Sequence, residues 1–180
     1  SEGTKIGMGW PERFDVIEWI KLIISWDSNA QIILHGVSMG AATVLMASGE
    51  ELPENVKAII ADCGYTSEWD EFKCEANALH IPWFPVLNAA SVMSKLRDGY
   101  DFKQASALEK VKQSRIPTLF IHGSDDELVP YSMLDKLYSA AACEKECLTV
   151  NGAGHALSSS VEPELYWNTV ENFIEKYLEK

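Results

Sequence analysis

Basic residues are scarce in this sequence, and the scarcity limits what the protein can bind. The chain has 15 Lys and Arg against 27 Asp and Glu, a formal net charge of −12 at pH 7. A protein that binds nucleic acid needs a basic face to neutralise phosphates, and no stripe of Lys or Arg appears along the chain. We therefore expect no nucleic-acid partner and attribute the acidic surplus to solubility.

Long hydrophobic runs are missing as well. No apolar stretch reaches the roughly 20 residues that a membrane-spanning helix requires, and residues 1–6 lack the basic and then apolar layout of a secretion signal. We therefore expect no membrane span and a cytoplasmic location.

Cysteine is sparse, with four residues in the chain. Cys143 and Cys147 do not have C-x-x-C spacing and have no set of histidines nearby, so zinc binding is not expected. Cys63 ends an apolar run and is expected to be a small core residue. Without a secretion signal, reduced thiols are the expected state. No metal or organic cofactor is implied.

The composition is that of one globular domain over residues 1–180. Hydrophobic residues make up 47% of the chain, charged residues are interspersed among them, and neither internal repeats nor low-complexity linkers occur. Apolar runs predict strands at 31–35, 56–62, 117–122 and 147–151. Helical spacing predicts helices at about 11–27, from Ser38 to about 49, 131–141 and 162–179. Strands that alternate with helices predict an α/β fold with a mostly parallel sheet.

Residues 64–115 interrupt this alternation. The segment is too long for a plain crossover between two strands, so we predict a helical cap inserted over the active-site edge. Trp69, Trp83 and Phe84 lie within it and are candidates for binding substrate in an acyl or aromatic pocket. Holding the insertion against the domain is an equally good role for these aromatic side chains.

The sequence Gly36-Val37-Ser38-Met39-Gly40 follows the first predicted strand. A strand, G-x-S-x-G and a helix of small residues together predict a sharp, strained turn that exposes a serine hydroxyl. The flanking glycines are expected because side chains there would clash between strand and helix. The same turn leaves the backbone N–H of Met39 at a helix N-terminus, where it can stabilise an oxyanion.

Two later segments supply the partners that a nucleophilic serine needs. The third strand runs into His122-Gly123, followed by an acidic turn, and the fourth runs into a glycine-rich loop that carries His155. We predict His155 as the base, and Asp126, Asp125 and Glu127 are the candidate acids that could orient it. His35 and His122 are expected to be structural or supporting groups, and Asp62 a turn hydrogen-bonding group.

The combination of G-x-S-x-G, H-G-x-x-D-x-x-V-P and G-x-G-H resembles the α/β-hydrolase superfamily, in its bacterial esterase, lipase and serine-aminopeptidase-like branch. The resemblance implies that Asp126 is the acid, because the family pattern places it at the fifth position of the motif that begins His122-Gly123. It implies further that the strands present are the fifth to eighth of eight. It also implies that Ser1-Glu2-Gly3 ends a loop that follows strand four, so that the chain is the C-terminal part of a longer enzyme. The second oxyanion donor would then come from a loop outside this sequence, and losing one donor costs about 100- to 1000-fold in rate. An unpaired apolar strand at 31–35 predicts self-association.

These features predict a serine hydrolase that cleaves a small-molecule carboxylic ester through an acyl-enzyme. Two alternatives remain. A serine peptidase or aminopeptidase would share the triad and differ in the cap, and a fragment without activity would act as a binding domain only.

Overall fold

A computed structural model describes residues 6–178. Its strands are β1 (Ile32–Val37), β2 (Val56–Asp62), β3 (Thr118–Gly123) and β4 (Lys145–Val150). Its helices are α1 (Glu12–Trp26), α2 (Met39–Ala47), α3 (Glu68–Ala78), α4 (Trp83–Asp98), α5 (Ala107–Val111), α6 (Ser132–Ala140), α7 (Ser158–Val161) and α8 (Pro163–Glu175).

The four strands form one parallel sheet in the order β1-β2-β3-β4. Val37 pairs with Asp62, Asp62 with Ile121, and Gly123 with Val150, so the carboxyl ends of all four strands meet at one edge. This arrangement confirms the predicted α/β fold. It brings the loops after β1, β2, β3 and β4 together, which is where open parallel sheets bind their ligands.

Helices cover both faces of the sheet. On one face, α2 packs against β1 and β2, and it is buried all round, from Ala41 to Ala47. On the other face, α8 contributes Tyr166, Val170 and Phe173 to a second apolar cluster with the strands. Burial on both faces explains why the strands are near-continuous apolar runs rather than alternating ones.

Residues 64–115 contain three helices. The first two, α3 and α4, pack against each other, whereas α5 packs against α2 and α6, within the helical layer of the sheet. The sequence prediction missed α5, although its capping signal was present: Ser106 Oγ accepts a hydrogen bond from the Glu109 N–H. Whether α3 and α4 act as a cap stays a prediction.

Strand β1, which leads to Ser38, extends further at its carboxyl end than predicted. It includes Gly36 and Val37, because their backbones stay paired with Ala61 and Asp62 of β2. Within the described residues, β1 is an edge of the sheet, and the predicted self-association through it stays a prediction. Ser1 to Gly3, which carry part of the resemblance, lie outside the described residues. None of the described helices is both long and apolar enough to cross a bilayer.

Candidate active site

Ser38 occupies a strained turn between β1 and α2. Its φ of 54° and ψ of −117° lie outside the regions that L residues normally populate. Gly36 makes the tight turn possible, because a Cβ there would overlap with the Gly40 carbonyl group. The expectation for the second glycine was wrong: a Cβ on Gly40 would meet no atom within 4 Å. Close packing therefore requires glycine on the strand side of the turn only.

The three predicted side chains lie in one hydrogen-bonded chain. His155 Nε2 is 2.7 Å from Ser38 Oγ, and His155 Nδ1 is 2.8 Å from Asp126 Oδ2. With Nδ1 donating to the carboxylate, Nε2 is free to accept the serine proton. Residues 38 and 155 are far apart in sequence, and the parallel sheet brings them together at its carboxyl edge.

Asp126 is buried and firmly held. Its Oδ1 accepts hydrogen bonds from the backbone N–H groups of Leu128 and Val129, at 3.0 and 2.9 Å. Burial opposes ionisation of Asp126, but hydrogen bonds from His122, His155 and Val129 outweigh it and hold its pKa below the ordinary value. A charged carboxylate beside His155 is therefore the stable form. The rival acids Asp125 and Glu127 are both exposed, and Asp125 Oδ1 accepts from Ser124 Oγ instead.

His122 supports Asp126 from behind. Its Nε2 lies 2.9 Å from the Val129 carbonyl oxygen and 3.3 Å from Asp126 Oδ2. Both neighbours are acceptors, so Nε2 carries the proton. In the part of the chain that the structure describes, the buried Nδ1 has no hydrogen-bond partner. This geometry fits the predicted supporting role of His122, and His155 is the histidine that bonds to Ser38.

Backbone contacts fix the acid loop against the histidine loop. The Asp125 N–H donates to the Ala153 carbonyl at 3.0 Å, and the Gly152 N–H donates to Ser124 Oγ at 2.8 Å. Gly123 lets the loops approach, because a Cβ there would overlap with the Ala153 carbonyl. Gly123 thus serves a close crossing of the two loops, whereas a Cβ on Gly152 would meet open space and one on Gly154 only ordinary van der Waals contacts.

Met39 is the first residue of α2. The first four N–H groups of a helix have no acceptor within it, so the Met39 N–H is available beside Ser38, at the positive end of the helix dipole. The role of the Met39 N–H as an oxyanion donor stays a prediction.

Cys63 lies next to the hydrogen-bonded chain, a neighbour that the sequence prediction did not foresee. It is fully buried, and its sulfur lies within 4.8 Å of the ligand atoms of Asp126 and His155. Burial and the nearby Asp62 raise its thiol pKa to about 12. Since Asp126 and His155 already bond to each other, we assign no metal to this group. It directly follows β2, which lies between the strands that lead to Ser38 and Asp126.

The predicted substrate residues form an aromatic cluster on α3 and α4. Trp69 contacts Trp83 edge to face at 6.5 Å between ring centroids, and Trp83 contacts Phe84 in the same way at 6.2 Å. Trp83 lines an apolar cavity of about 240 Å³ between the two helices, and Trp69 lines another of about 230 Å³. Among the described residues that line these two cavities, none belongs to the hydrogen-bonded chain of Ser38, His155 and Asp126. A substrate role for the three aromatics stays a prediction.

The sheet and the site together define a class. A parallel α/β sheet with a serine at a strand-to-helix elbow, then an acid and a histidine on later loops, is the arrangement of the α/β-hydrolases. The chain belongs to the prolyl oligopeptidase family, which it matches over residues 10–180.

Known relatives and structures agree with this class. The chain is 29% identical over 177 residues to the uncharacterized protein YqkD of Bacillus subtilis, covering 97% of this chain and 58% of YqkD. The fold is similar to an esterase of Pyrococcus furiosus, with a TM-score of 0.76 and 19% identity, covering 98% of this chain and 66% of that one. An acylaminoacyl peptidase of Pyrococcus horikoshii has a TM-score of 0.73 and 17% identity, over 96% of this chain and 28% of that one. At these identities the two structures show the fold alone, and the chain spans little more than half the length of YqkD.

Proposed function

We propose that the protein is a serine hydrolase that cleaves carboxylic esters through an acyl-enzyme on Ser38. One observation carries the proposal: the unbroken hydrogen-bonded chain from Ser38 Oγ through His155 to Asp126, with its nucleophile at a strained helix N-terminus. A serine hydroxyl is a weak nucleophile until a base removes its proton. Here the base lies at hydrogen-bond distance and is oriented by a charged acid.

The reaction follows from these positions. Ser38 Oγ attacks the ester carbonyl carbon while its proton moves to His155 Nε2, and the Met39 N–H stabilises the oxyanion. The carbon–alkoxide bond then breaks, and the alcohol leaves with the proton from His155. Water repeats the attack on the acyl-enzyme, again giving its proton to His155, and the acid product frees Ser38. Asp126 stabilises the imidazolium in both halves.

A peptidase is the second candidate, and the family name favours it. A peptidase would use the same three side chains to cleave an amide bond instead of an ester bond. The two candidates differ in what holds the leaving group and not in the triad. The fold alone does not assign a substrate.

The test is a substrate panel. Nitrophenyl esters of increasing acyl length and aminoacyl nitroanilides are compared with the wild-type protein and with Ser38→Ala. We expect ester hydrolysis that requires Ser38, with weaker or no anilide cleavage. Anilide cleavage that exceeds ester cleavage would replace the esterase by a peptidase. If neither the esters nor the anilides are cleaved, the third alternative remains, a binding domain without activity.

A further inference from the structure

Asp62 contacts the nucleophile turn and the histidine segment at the same time. It is the last residue of β2 and is 2% exposed. Its backbone carbonyl accepts a hydrogen bond from the Ser38 N–H at 2.9 Å, and its Oδ1 accepts one from Ser158 Oγ at 3.2 Å. One residue thus joins the elbow to the first residue of α7.

Ser158 lies three positions after His155 and is completely buried. On the other side of the histidine, the Ala153 carbonyl is held by the Asp125 N–H. Between these two anchors the chain passes through Ala156, whose φ of 57° lies in the left-handed region that only glycine adopts readily. The short segment that carries the imidazole is therefore strained and held on both sides of His155, and the Ser158 hydroxyl is one of its attachments.

A second group of contacts holds the Asp62 carboxylate itself. The buried Tyr166 hydroxyl interacts with it and lies 3.0 Å from His35 Nε2. These contacts link β1, β2, α7 and α8 on the face of the sheet opposite α2. Burial raises the pKa of Asp62, and the hydrogen bonds from Ser158 and Tyr166 act against that effect. A buried carboxylate without such donors would be strongly unfavourable, so the donors and the acid maintain each other's positions.

We propose that Asp62 is a positioning residue for the hydrolytic reaction: through Ser158 it holds His155 at bonding distance from Ser38. The proposal rests on the proposed serine hydrolase function. A shift of about 1 Å in a reacting group can lower the rate on the order of 100-fold. His155 lies in a turn between β4 and α7, so the Asp62–Ser158 bond adds to the contacts that hold the imidazole in place.

The test removes this bond with the smallest possible change, Ser158→Ala. The matched control is Ser160→Ala, which makes the same change at an exposed position of the same helix. For Ser158→Ala we expect kcat on a nitrophenyl ester to fall about 10- to 100-fold at unchanged KM, measured per folded molecule. Ser160→Ala keeps the wild-type kcat. Asp62→Asn retains an oxygen that can accept from Ser158, so it keeps most of the rate, whereas Asp62→Ala behaves like Ser158→Ala.

A second readout does not depend on turnover. The proton between His155 Nδ1 and Asp126 gives a far-downfield NMR signal, assigned by its loss in His155→Ala. We expect this signal in wild type and Ser160→Ala, and a shifted or missing signal in Ser158→Ala. An unchanged signal in Ser158→Ala overturns the positioning role, whether or not the protein hydrolyses esters. If the signals of all variants are as expected but the wild-type protein hydrolyses no ester, the proposed function alone is overturned. Loss of activity only in proportion to loss of folded protein shows a merely structural bond and also overturns the positioning role.

Discussion

Asp126, at the carboxyl edge of the sheet, and the two buried acids of α3 lie in opposite electrostatic surroundings. At the edge, Asp126 accepts from two backbone N–H groups and from His155, and its pKa is lowered. In α3, Glu68 and Glu71 are each 3% exposed, yet one oxygen of each has no hydrogen-bond partner among the described residues. The edge is organised before any substrate arrives, which is what electrostatic catalysis requires, whereas α3 holds its acids in unfavourable surroundings.

The helices next to these regions differ in the same sense. Helix α2, which directly follows Ser38, is buried from Ala41 to Ala47. Helix α4 leaves five large apolar side chains exposed: Phe84, Val86, Val92, Met93 and Leu96. The helix that follows Ser38 is therefore closely packed, and the α3–α4 pair is the less completely packed of the two regions. Differences of this kind place functional precision on the sheet and variability on the connecting segments.

The largest expected effect is on kcat/KM, and it distinguishes Asp126 from its neighbour Asp125. Asp126→Asn removes the charge that orients His155 and stabilises the imidazolium, so we expect kcat/KM on a nitrophenyl ester to fall by about 10³- to 10⁴-fold. Asp125→Asn changes an exposed acid that bonds to Ser124 Oγ and, through its backbone N–H, to the Ala153 carbonyl, and it is expected to stay near wild type. Equal losses from both variants would contradict the assignment of Asp126.

The next prediction compares the two glycines of the elbow by chemical denaturation. Gly36→Ala places a Cβ against the Gly40 backbone, so the free energy of unfolding should fall by about 1–3 kcal/mol. Gly40→Ala meets no atom and lies in a helix, where alanine is favoured over glycine by up to about 1 kcal/mol. The two changes should therefore have opposite signs. A destabilised Gly40→Ala protein would show that the second glycine also serves close packing.

The smallest expected effect concerns how the free energy of unfolding depends on pH. It tests whether the buried acids of α3 lie in unfavourable surroundings. Burial raises the pKa of Glu71 to about 7 and that of Glu68 to about 8, and neighbouring carboxylates add to the effect. In the unfolded chain these groups titrate near 4.5. Their contribution to stability is therefore complete below that pH and is lost as the pH rises through about 7 to 8.

Replacing one of these acids by glutamine removes the part of the pH dependence of stability that comes from that residue. Glu68→Gln should raise the free energy of unfolding above pH 8, relative to wild type, by on the order of 1–3 kcal/mol, and Glu71→Gln by somewhat less. Glu51→Gln, at an exposed position, serves as the control and should follow the wild-type curve. Parallel curves for wild type and Glu68→Gln between pH 5 and 9, measured by urea unfolding, would contradict unfavourable burial of the α3 acids.

Local patterns in the sequence were enough to predict the strands and a parallel sheet, and with the family resemblance they also predicted the three side chains that the structure brings together. Each of those signals lies within a few residues of a strand end, where apolar runs and glycines are informative. Contacts that depend on register across strands were not predictable in this way. Cys63 beside His155, and Asp62 bonded to both Ser38 and Ser158, become evident only once β2 is aligned with its neighbours. The open space at Gly40 likewise depends on packing that no pentapeptide encodes.

The central claim is most directly tested by reaction with a fluorophosphonate probe, followed by mass-spectrometric mapping of the modified residue. Attack by the activated hydroxyl expels fluoride and leaves a phosphonate ester on the enzyme. The account predicts a single adduct on the peptide that carries Ser38, absent in Ser38→Ala and formed far more slowly in His155→Ala. An adduct that persists in Ser38→Ala, or a labelling rate that does not depend on His155, would contradict it.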